Sequence, residues 1–155
     1  MDRSIEEQIM AIIDDVDDMT IATIRDDGYP QATTVSYVND GLVIYFGTSV
    51  TSQKAGNLGH CDKVSLTINR AYETWNDIEG LSIGGRATQV TDPAEQAKVG
   101  RLMFEKFPLI MNYVAVDESM AELALFRIVP EVTSLLDYAK GFGHTEQFDV
   151  GEDRT

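Results

Sequence analysis

Residues 19–38 read MTIATIRDDGYPQATTVSYV. Two runs rich in Ile, Val and Thr, residues 19–25 and 31–38, flank the turn-forming segment DDGYP. β-Branched runs on both sides of such a turn predict a β-hairpin. A second turn, NDG at residues 39–41, leads into another run of this kind at residues 42–46. This part of the chain therefore predicts three strands joined as two hairpins.

The flanking sequence adds a helix before these strands and further strands after them. Residues 2–18 carry Ile and Val at spacings of three and four on an acidic background, which predicts an amphipathic helix. Residues 63–70 alternate polar and apolar side chains, which is the period of a half-buried strand. Residues 78–90 read as a long strand in which glycines indicate bends or bulges.

The last third of the sequence predicts one more helix and two strand segments. An N-cap followed by proline opens a helix over residues 92–108. Apolar runs at residues 123–129 and 132–136 predict two strand segments that Pro130 separates. The predicted fold class is mainly β (α+β): an antiparallel β-barrel with peripheral helices.

The size of the chain fits one domain. The sequence has 155 residues, contains no linker-like segment and has no internal repeat. We therefore expect a single domain over residues 1–148 and a polar tail over residues 149–155.

Composition excludes several classes of partner and site. The net charge of −14 disfavours binding to nucleic acid or anionic membranes, because both require clusters of Lys and Arg. No apolar run is long enough for a membrane span, and the N-terminus lacks the features of a secretory signal, so a cytoplasmic location is expected. One cysteine, Cys61, and two histidines make neither a disulfide framework nor a metal site, so we expect no bound metal.

The segment FGTSVTSQKAGNL, residues 46–58, is the candidate for binding chemistry. It leaves a strand through Gly47, presents four hydroxyl side chains and enters a short helix that carries Lys54. Hydroxyls, helix-start amides and an ammonium together can bind a phosphate group. The alternative is that the Ser and Thr residues only cap the helix and that Lys54 is a solvated surface residue.

Read together, these blocks resemble the pyridoxamine 5'-phosphate oxidase-like flavoproteins, which have an FMN-binding split β-barrel. The resemblance rests on segments in the order of that family: residues 19–38, 41–48, 52–58, 64–68, 85–87 and 136–143. It implies an antiparallel split β-barrel that forms a homodimer, with each FMN site built at the subunit interface.

The resemblance also implies roles for individual residues. One strand would lie along the isoalloxazine ring through Gln31, Ala32, Thr33, Thr34 and Val35. The ribityl phosphate would be bound by Thr48, Ser49, Ser52, Gln53 and Lys54. Two further segments would approach the flavin, one of them from the partner subunit, through Trp75, Asn76, Lys140, Gly141 and Phe142.

Two departures from the family pattern concern the reaction. True pyridoxamine phosphate oxidases resemble this chain at Lys54 but have an arginine where it has Gln53, and they end in a segment rich in Arg and Trp that it lacks. We therefore expect an FMN-dependent oxidoreductase that transfers hydride between FMN and a small substrate other than pyridoxamine phosphate. The alternatives are a non-catalytic flavin carrier or sensor, a deazaflavin-dependent reductase of the same fold, and a barrel without flavin.

Three other features have plain structural interpretations. His60 and Cys61 are adjacent, and neighbouring residues seldom converge on one metal without further ligands. Trp75 could stack on a flavin or a substrate, but a lone tryptophan is as often a core or interface residue. The acidic residues between 14 and 18 are expected to form a solvated face rather than an acid–base pair.

Overall fold

The computed structural model describes residues 2–113 and 122–150. Eight β-strands form a single antiparallel sheet that three α-helices accompany in this part of the chain. The helices are α1 (Arg3–Asp15), α2 (Gln53–His60) and α3 (Pro93–Lys106). The strands are β1 (Asp18–Ile24), β2 (Pro30–Ser36), β3 (Val38–Asp40), β4 (Val43–Ser49), β5 (Lys63–Asn69), β6 (Glu79–Gln89), β7 (Leu123–Asp137) and β8 (Thr145–Asp149).

The strand order shows how the sheet curls. The path runs β2-β1-β5-β6-β7-β4-β3, and β8 pairs with the second half of β7. The outermost strands β2 and β3 are joined by one residue, Tyr37, which is buried. Because neighbouring Cα atoms are only about 3.8 Å apart, the two edges of the sheet must meet there. They meet without pairing, so the sheet forms the predicted split barrel.

The core fills the inside of this curled sheet. Buried side chains alternate with exposed or half-buried ones along β1, β5 and most of β6. Helix α1 closes the barrel with the fully buried side chains of Ile9, Ile12 and Ile13. Helix α3 packs outside the barrel in a smaller cluster around Val99 and Tyr45. None of the helices in the described ranges is sufficiently long and apolar to cross a membrane.

The second predicted hairpin is shorter than the sequence indicated. The predicted strand 31–38 ends at Ser36, and the hairpin consists of β3 and β4 around Gly41. The predicted helix 2–18 likewise ends at Asp15. Strand β8 was not predicted, and it extends to Asp149, the first residue of the predicted polar tail. Its five residues alternate weakly in polarity, so they carry little strand signal.

The predicted break at Pro130 is wrong. Strand β7 runs continuously through it, and the register against β6 shifts between Gly84 and Gly85. Gly84 pairs with Val132 while Gly85 pairs with Pro130, which leaves Glu131 as the extra residue of a β-bulge. Because the ladder is already irregular at the bulge, the absence of an N–H on proline does not end the strand.

Gly85 is required by this bulge, and its replacement should destabilise the fold. A Cβ atom at Gly85 would lie 2.5 Å from the carbonyl oxygen of Val129, which is backbone and cannot move alone. We expect Gly85→Ala to lower the free energy of unfolding by about 1–3 kcal/mol in urea denaturation. Gly100→Ala on α3 is the control, since nothing lies within 4 Å of the added Cβ. It should stabilise the protein by about 0.5–1 kcal/mol, and equal effects of the two substitutions would contradict this account.

Candidate functional site

The turn between β4 and α2 places four hydroxyl side chains together. We call Thr48, Ser49, Thr51 and Ser52 the hydroxyl turn. The amide of Ser52 donates to the carbonyl of Ser49 at 3.0 Å, which closes the turn. The Ser52 hydroxyl oxygen accepts from the amide of Ala55 at 3.0 Å and so caps α2. Ser52 is thus the N-cap of α2, as the alternative interpretation of this hydroxyl required, and the first amides of α2 point toward the turn.

Hydrogen bonds within the hydroxyl turn leave hydroxyl protons free to bind a ligand. The Thr48 hydroxyl donates to Ser52 Oγ at 3.0 Å. Ser52 Oγ thus accepts twice, and its own proton remains available. The hydroxyls of Ser49 and Thr51 are 3.0 Å apart, and whichever of them accepts keeps its own proton. The turn can therefore offer at least two hydroxyl donors to an anion.

Lys54 supplies the positive charge next to this turn. Its side chain is half-buried on the first turn of α2, and it forms no ion pair with any of the described residues. Burial lowers the pKa of the Lys54 ammonium, because desolvation penalises the charged form. Burial also lowers the pKa of Lys106, but the Lys106 ammonium donates to the carbonyl of Val16 at 2.7 Å, whereas the Lys54 ammonium has no such partner within the described residues. The ammonium is thus available to an anionic ligand.

Asn57 connects α2 to the strands that the sequence assigned to the flavin ring. Its side chain is 1% exposed. The amide nitrogen donates to Thr23 Oγ1 at 3.0 Å and to Gln31 Oε1 at 3.1 Å. Its oxygen accepts from Gln53 Nε2 at 2.8 Å. Asn57 therefore fixes the helix that carries Lys54 against β1 and β2.

Strand β2 presents the five predicted flavin-contacting residues on two faces. Gln31, Thr33 and Val35 point toward the body of the protein, whereas Ala32 and Thr34 are exposed. The Thr33 hydroxyl oxygen is shielded from solvent and has no hydrogen-bond partner within the described ranges. A buried polar atom without a partner is uncommon in a folded protein, and a bound ligand is one way to satisfy it.

The remaining predicted residues lie together elsewhere. We call Trp75, Tyr138 and Phe142 the aromatic cluster. The ring centroids of Trp75 and Phe142 are 5.5 Å apart, and those of Tyr138 and Phe142 are 5.6 Å apart. Asn76, Lys140 and Gly141 are exposed beside these rings. Two segments more than 60 residues apart in sequence are thus brought together within one chain.

Within one chain the aromatic cluster is far from the hydroxyl turn. Thr48 pairs with Ala124 near the start of β7, whereas Leu136 pairs with Gly80 at its other end, next to the cluster. Twelve residues of extended strand span about 40 Å along the chain. A single subunit therefore does not bring the two groups of predicted site residues together.

The residues around the hydroxyl turn fit the phosphate of FMN. Free hydroxyl protons, helix-start amides and a desolvated ammonium are the donor set that a phosphate dianion needs. Gln53, at the position where the oxidases of this family have arginine, is bound to Asn57 and adds no charge. Lys54 would then hold the phosphate, and Thr33 would offer its unpaired hydroxyl along β2.

Sequence reasoning missed Asn57 and Thr23 as parts of this region. Asn57 lies four positions after Gln53 on α2, so the two side chains share a helix face. That spacing could have indicated the pair. The contacts of Asn57 with Thr23 and Gln31 join residues 34 and 26 positions apart, and only the folded sheet brings them together.

Comparison with known proteins agrees with this fold. The solved structures that are similar to the chain include the following three. A conserved hypothetical protein of Mycobacterium tuberculosis is 27% identical with a TM-score of 0.75, and the match covers 100% of this chain and 95% of that one. A putative pyridoxamine 5'-phosphate oxidase of Listeria innocua is 20% identical with a TM-score of 0.69, covering 86% of this chain and 98% of that one. A heme binding protein of Mycobacterium smegmatis is 18% identical with a TM-score of 0.74; the match covers 93% of this chain but only 56% of that protein.

Sequence comparison identifies the family. No curated protein matches the chain at a significant level. The sequence model of one family, described as pyridoxamine 5'-phosphate oxidase, matches residues 5–137, which include most of α1, the hydroxyl turn and all of β7. The chain therefore belongs to the pyridoxamine 5'-phosphate oxidase family.

Proposed function

We propose that this protein is an FMN-binding oxidoreductase that transfers hydride between the flavin and a small substrate. The observation that carries the proposal is Lys54, a desolvated cation beside the hydroxyl turn that has no carboxylate partner in the described part of the chain. Such a site favours a phosphate even though the net charge of the chain is −14. The family match supports the same assignment.

The residues would divide the work of holding the cofactor. Lys54 and the hydroxyl turn would bind the phosphate, and Asn57 would keep α2 at a fixed distance from β2. Gln31, Thr33 and Val35 would lie against the ring system from one face of that strand. Bound FMN supplies the hydride chemistry at its ring, so the protein needs to orient the ring and exclude water. This division explains why the sequence contains no conspicuous catalytic acid–base pair.

We propose a homodimer because the site is incomplete in one chain and because two rows of side chains across the outer face of the sheet carry no charge. The outward residues of five adjacent strands form two rows of small or hydroxyl-bearing side chains. The first row is Thr34, Thr20, Thr67, Ser82 and Ser134, and the second is Ala32, Ala22, Ser65, Gly84 and Val132. These rows span about 19 Å across the strands. In so acidic a chain, an uncharged face of this size suits contact with a second copy.

A two-fold axis that crosses the strands would place opposite ends of two subunits together. The aromatic cluster of one subunit would then approach the hydroxyl turn of the other. Sedimentation equilibrium of the purified protein tests the dimer directly. We expect a mass twice that of the 17.2 kDa chain, and a monomer at micromolar concentration would contradict the proposal.

Two alternative cofactor assignments can be tested in one experiment. The M. smegmatis relative is described as a heme binding protein, so the cofactor could be haem instead. The protein is mixed separately with FMN and with haemin, desalted, and its absorbance is recorded. Flavin bands in the first sample and no Soret band in the second are the expected result. A retained Soret band without flavin would overturn the FMN assignment.

A non-catalytic flavin carrier is the second candidate function. It is favoured by Gln53, which stands where the true oxidases have a charged residue. Turnover separates the two functions. Rapid, saturable reduction of bound FMN by NADH or NADPH, followed by reoxidation with an acceptor, indicates an enzyme. Failure with a broad set of donors indicates a carrier.

The affinity for FMN should depend on pH through Lys54. Only the protonated ammonium attracts the phosphate, and burial lowers the pKa of Lys54 below its ordinary value of 10.5. Affinity should therefore fall as pH rises toward this lowered pKa, earlier than it would for a solvated lysine. Flavin fluorescence titrations between about pH 7 and 10 measure this change. Lys54→Arg is the control, since arginine stays charged over this range and reports any titration of FMN itself. Parallel curves for the two proteins would contradict the assignment.

A further inference from the structure

The aromatic cluster exposes an unusual amount of apolar surface. Trp75 is 66% exposed and Phe142 is 75% exposed, although their ring centroids are only 5.5 Å apart. Tyr138 meets the edge of Phe142 from the other side. Large apolar side chains that are grouped and exposed on a folded protein commonly mark a binding surface.

Both rings are held in place by their backbones. Phe142 lies between Gly141 and Gly143, whose φ angles of 145° and 79° are in the region that favours glycine. The amide of His144 donates to the carbonyl of Gly141 at 3.0 Å, and the amide of Asp137 donates to the carbonyl of His144 at 3.0 Å. The amide of Ile78 donates to the carbonyl of Trp75 at 3.2 Å. The exposed rings thus lie on closed turns, which preorganises them for a ligand.

The charges around these rings select against anions. Segments 71–79 and 137–146 carry five carboxylates, and Lys140 is their one lysine or arginine. The carboxylates are Glu73, Asp77, Glu79, Asp137 and Glu146. Arg70, just before the first segment, is bound to Asp15 and Glu79, so the excess of negative charge rests on the other four carboxylates against Lys140. Aromatic faces themselves attract cations rather than anions. This end of the molecule therefore complements the hydroxyl turn, where Lys54 attracts the phosphate.

We infer that the aromatic cluster binds a planar aromatic ring without negative charge and forms the substrate side of the flavin site. The inference rests on the proposed function, since it names the substrate class of that site. Trp75 and Phe142 stack on the ring, and the surrounding carboxylates exclude phosphorylated or carboxylated substrates. Substrates of this class differ from pyridoxamine phosphate in charge, which agrees with the departures of the sequence from the true oxidases.

The single tryptophan of the chain makes this site directly observable. Trp75 is the only Trp, so intrinsic tryptophan fluorescence reports on the cluster alone. FMN-treated protein is titrated with N-methylquinolinium, a planar cation, and separately with naphthalene-2-sulfonate, an anion of the same ring size. We expect saturable quenching by the cation and at least about tenfold weaker binding of the anion. Phe142→Ala should raise the half-saturating concentration of the cation about 3- to 10-fold.

Two further variants test whether the quenching is specific to the aromatic cluster and whether the carboxylates determine the charge preference. Phe104→Ala removes a half-exposed aromatic side chain on α3 and should change nothing. Glu73→Lys should weaken binding of the cation and strengthen binding of the anion. Unsaturable quenching, equal binding of both probes, or an unchanged Phe142→Ala variant overturns the inference. Retention of FMN is read from its own absorbance in the same sample. If the sample retains FMN but does not bind the cationic probe, the ring site is wrong and the flavin assignment stands. If the probe binds but FMN is not retained, the flavin assignment is wrong and the ring-binding surface stands.

Discussion

Replacing Lys54 with alanine should weaken FMN binding by about 1.5–3 kcal/mol, which is about a 10- to 150-fold rise in Kd. The ammonium is desolvated on the first turn of α2 and makes no ion pair with the described residues. Its removal takes away a charge-assisted contact to the phosphate and frees no protein carboxylate. Fold stability should change little, because no partner in the described part of the chain loses a bond. Equilibrium titration by flavin fluorescence measures the change in Kd.

Lys63→Ala is the matched control for this prediction. Lys63 is exposed at the start of β5, so its substitution removes the same charge from the chain without touching the hydroxyl turn. Its Kd for FMN should stay within about twofold of the original value, as expected for a screened distant charge. If both substitutions weakened binding equally, the effect would be one of net charge. If neither did, Lys54 would be removed from the phosphate site.

Replacing Asn57 with alanine should destabilise the fold by about 2–3 kcal/mol and weaken FMN binding as well. The Asn57 amide is almost fully buried and makes three hydrogen bonds, one to Gln53 on the same helix and two that join α2 to β1 and β2. Its loss leaves the buried Thr23 hydroxyl and the Gln31 amide oxygen without this donor, which costs more than the net value of a hydrogen bond. Urea denaturation gives the free energy of unfolding, and a flavin titration of the same variant gives Kd.

The control for this prediction is Gln53→Ala, which leaves the hydrogen bonds of Asn57 to Thr23 and Gln31 in place. Gln53 is exposed and donates to the Asn57 oxygen, so water can replace it in Gln53→Ala. That substitution should change the free energy of unfolding by less than about 0.5 kcal/mol. Equal stability of the Asn57→Ala and unsubstituted proteins would show that the buried amide does not fix α2. Lost stability with unchanged Kd would separate Asn57 from cofactor binding.

The sequence predicted the elements of this fold better than their limits. Alternation in β5 and the capping residues of α3 are local signals, and both elements form where they were expected. The continuity of β7 through Pro130 depends on a bulge opposite Gly85, which is a property of two paired strands rather than of either sequence. The one-residue passage between β2 and β3 through Tyr37 also follows from the curl of the whole sheet.

In the candidate site, too, residues that are close in sequence could be predicted, and contacts between distant residues could not. The hydroxyl turn and Lys54 are contiguous, so their residue types and their place before a helix could be read directly. Trp75 and Phe142 were each named through a family resemblance, but the contact between their rings was not predicted and is seen only in the folded chain. The buried role of Asn57 could not be predicted, because its partners lie on β1 and β2. No local sequence signal indicates that the hydroxyl turn and the aromatic cluster lie near opposite ends of β7.

The most direct test of the central claim compares FMN with riboflavin, which has the same ring and ribityl chain but no phosphate. Both are titrated into the purified protein, and flavin fluorescence gives the two dissociation constants. If Lys54 and the hydroxyl turn form a phosphate site, FMN should bind at least about 30-fold more tightly than riboflavin, as expected for charge-assisted hydrogen bonds to a dianion. Equal affinity for the two flavins, or no binding of either, would contradict the assignment of this family member as an FMN-binding protein.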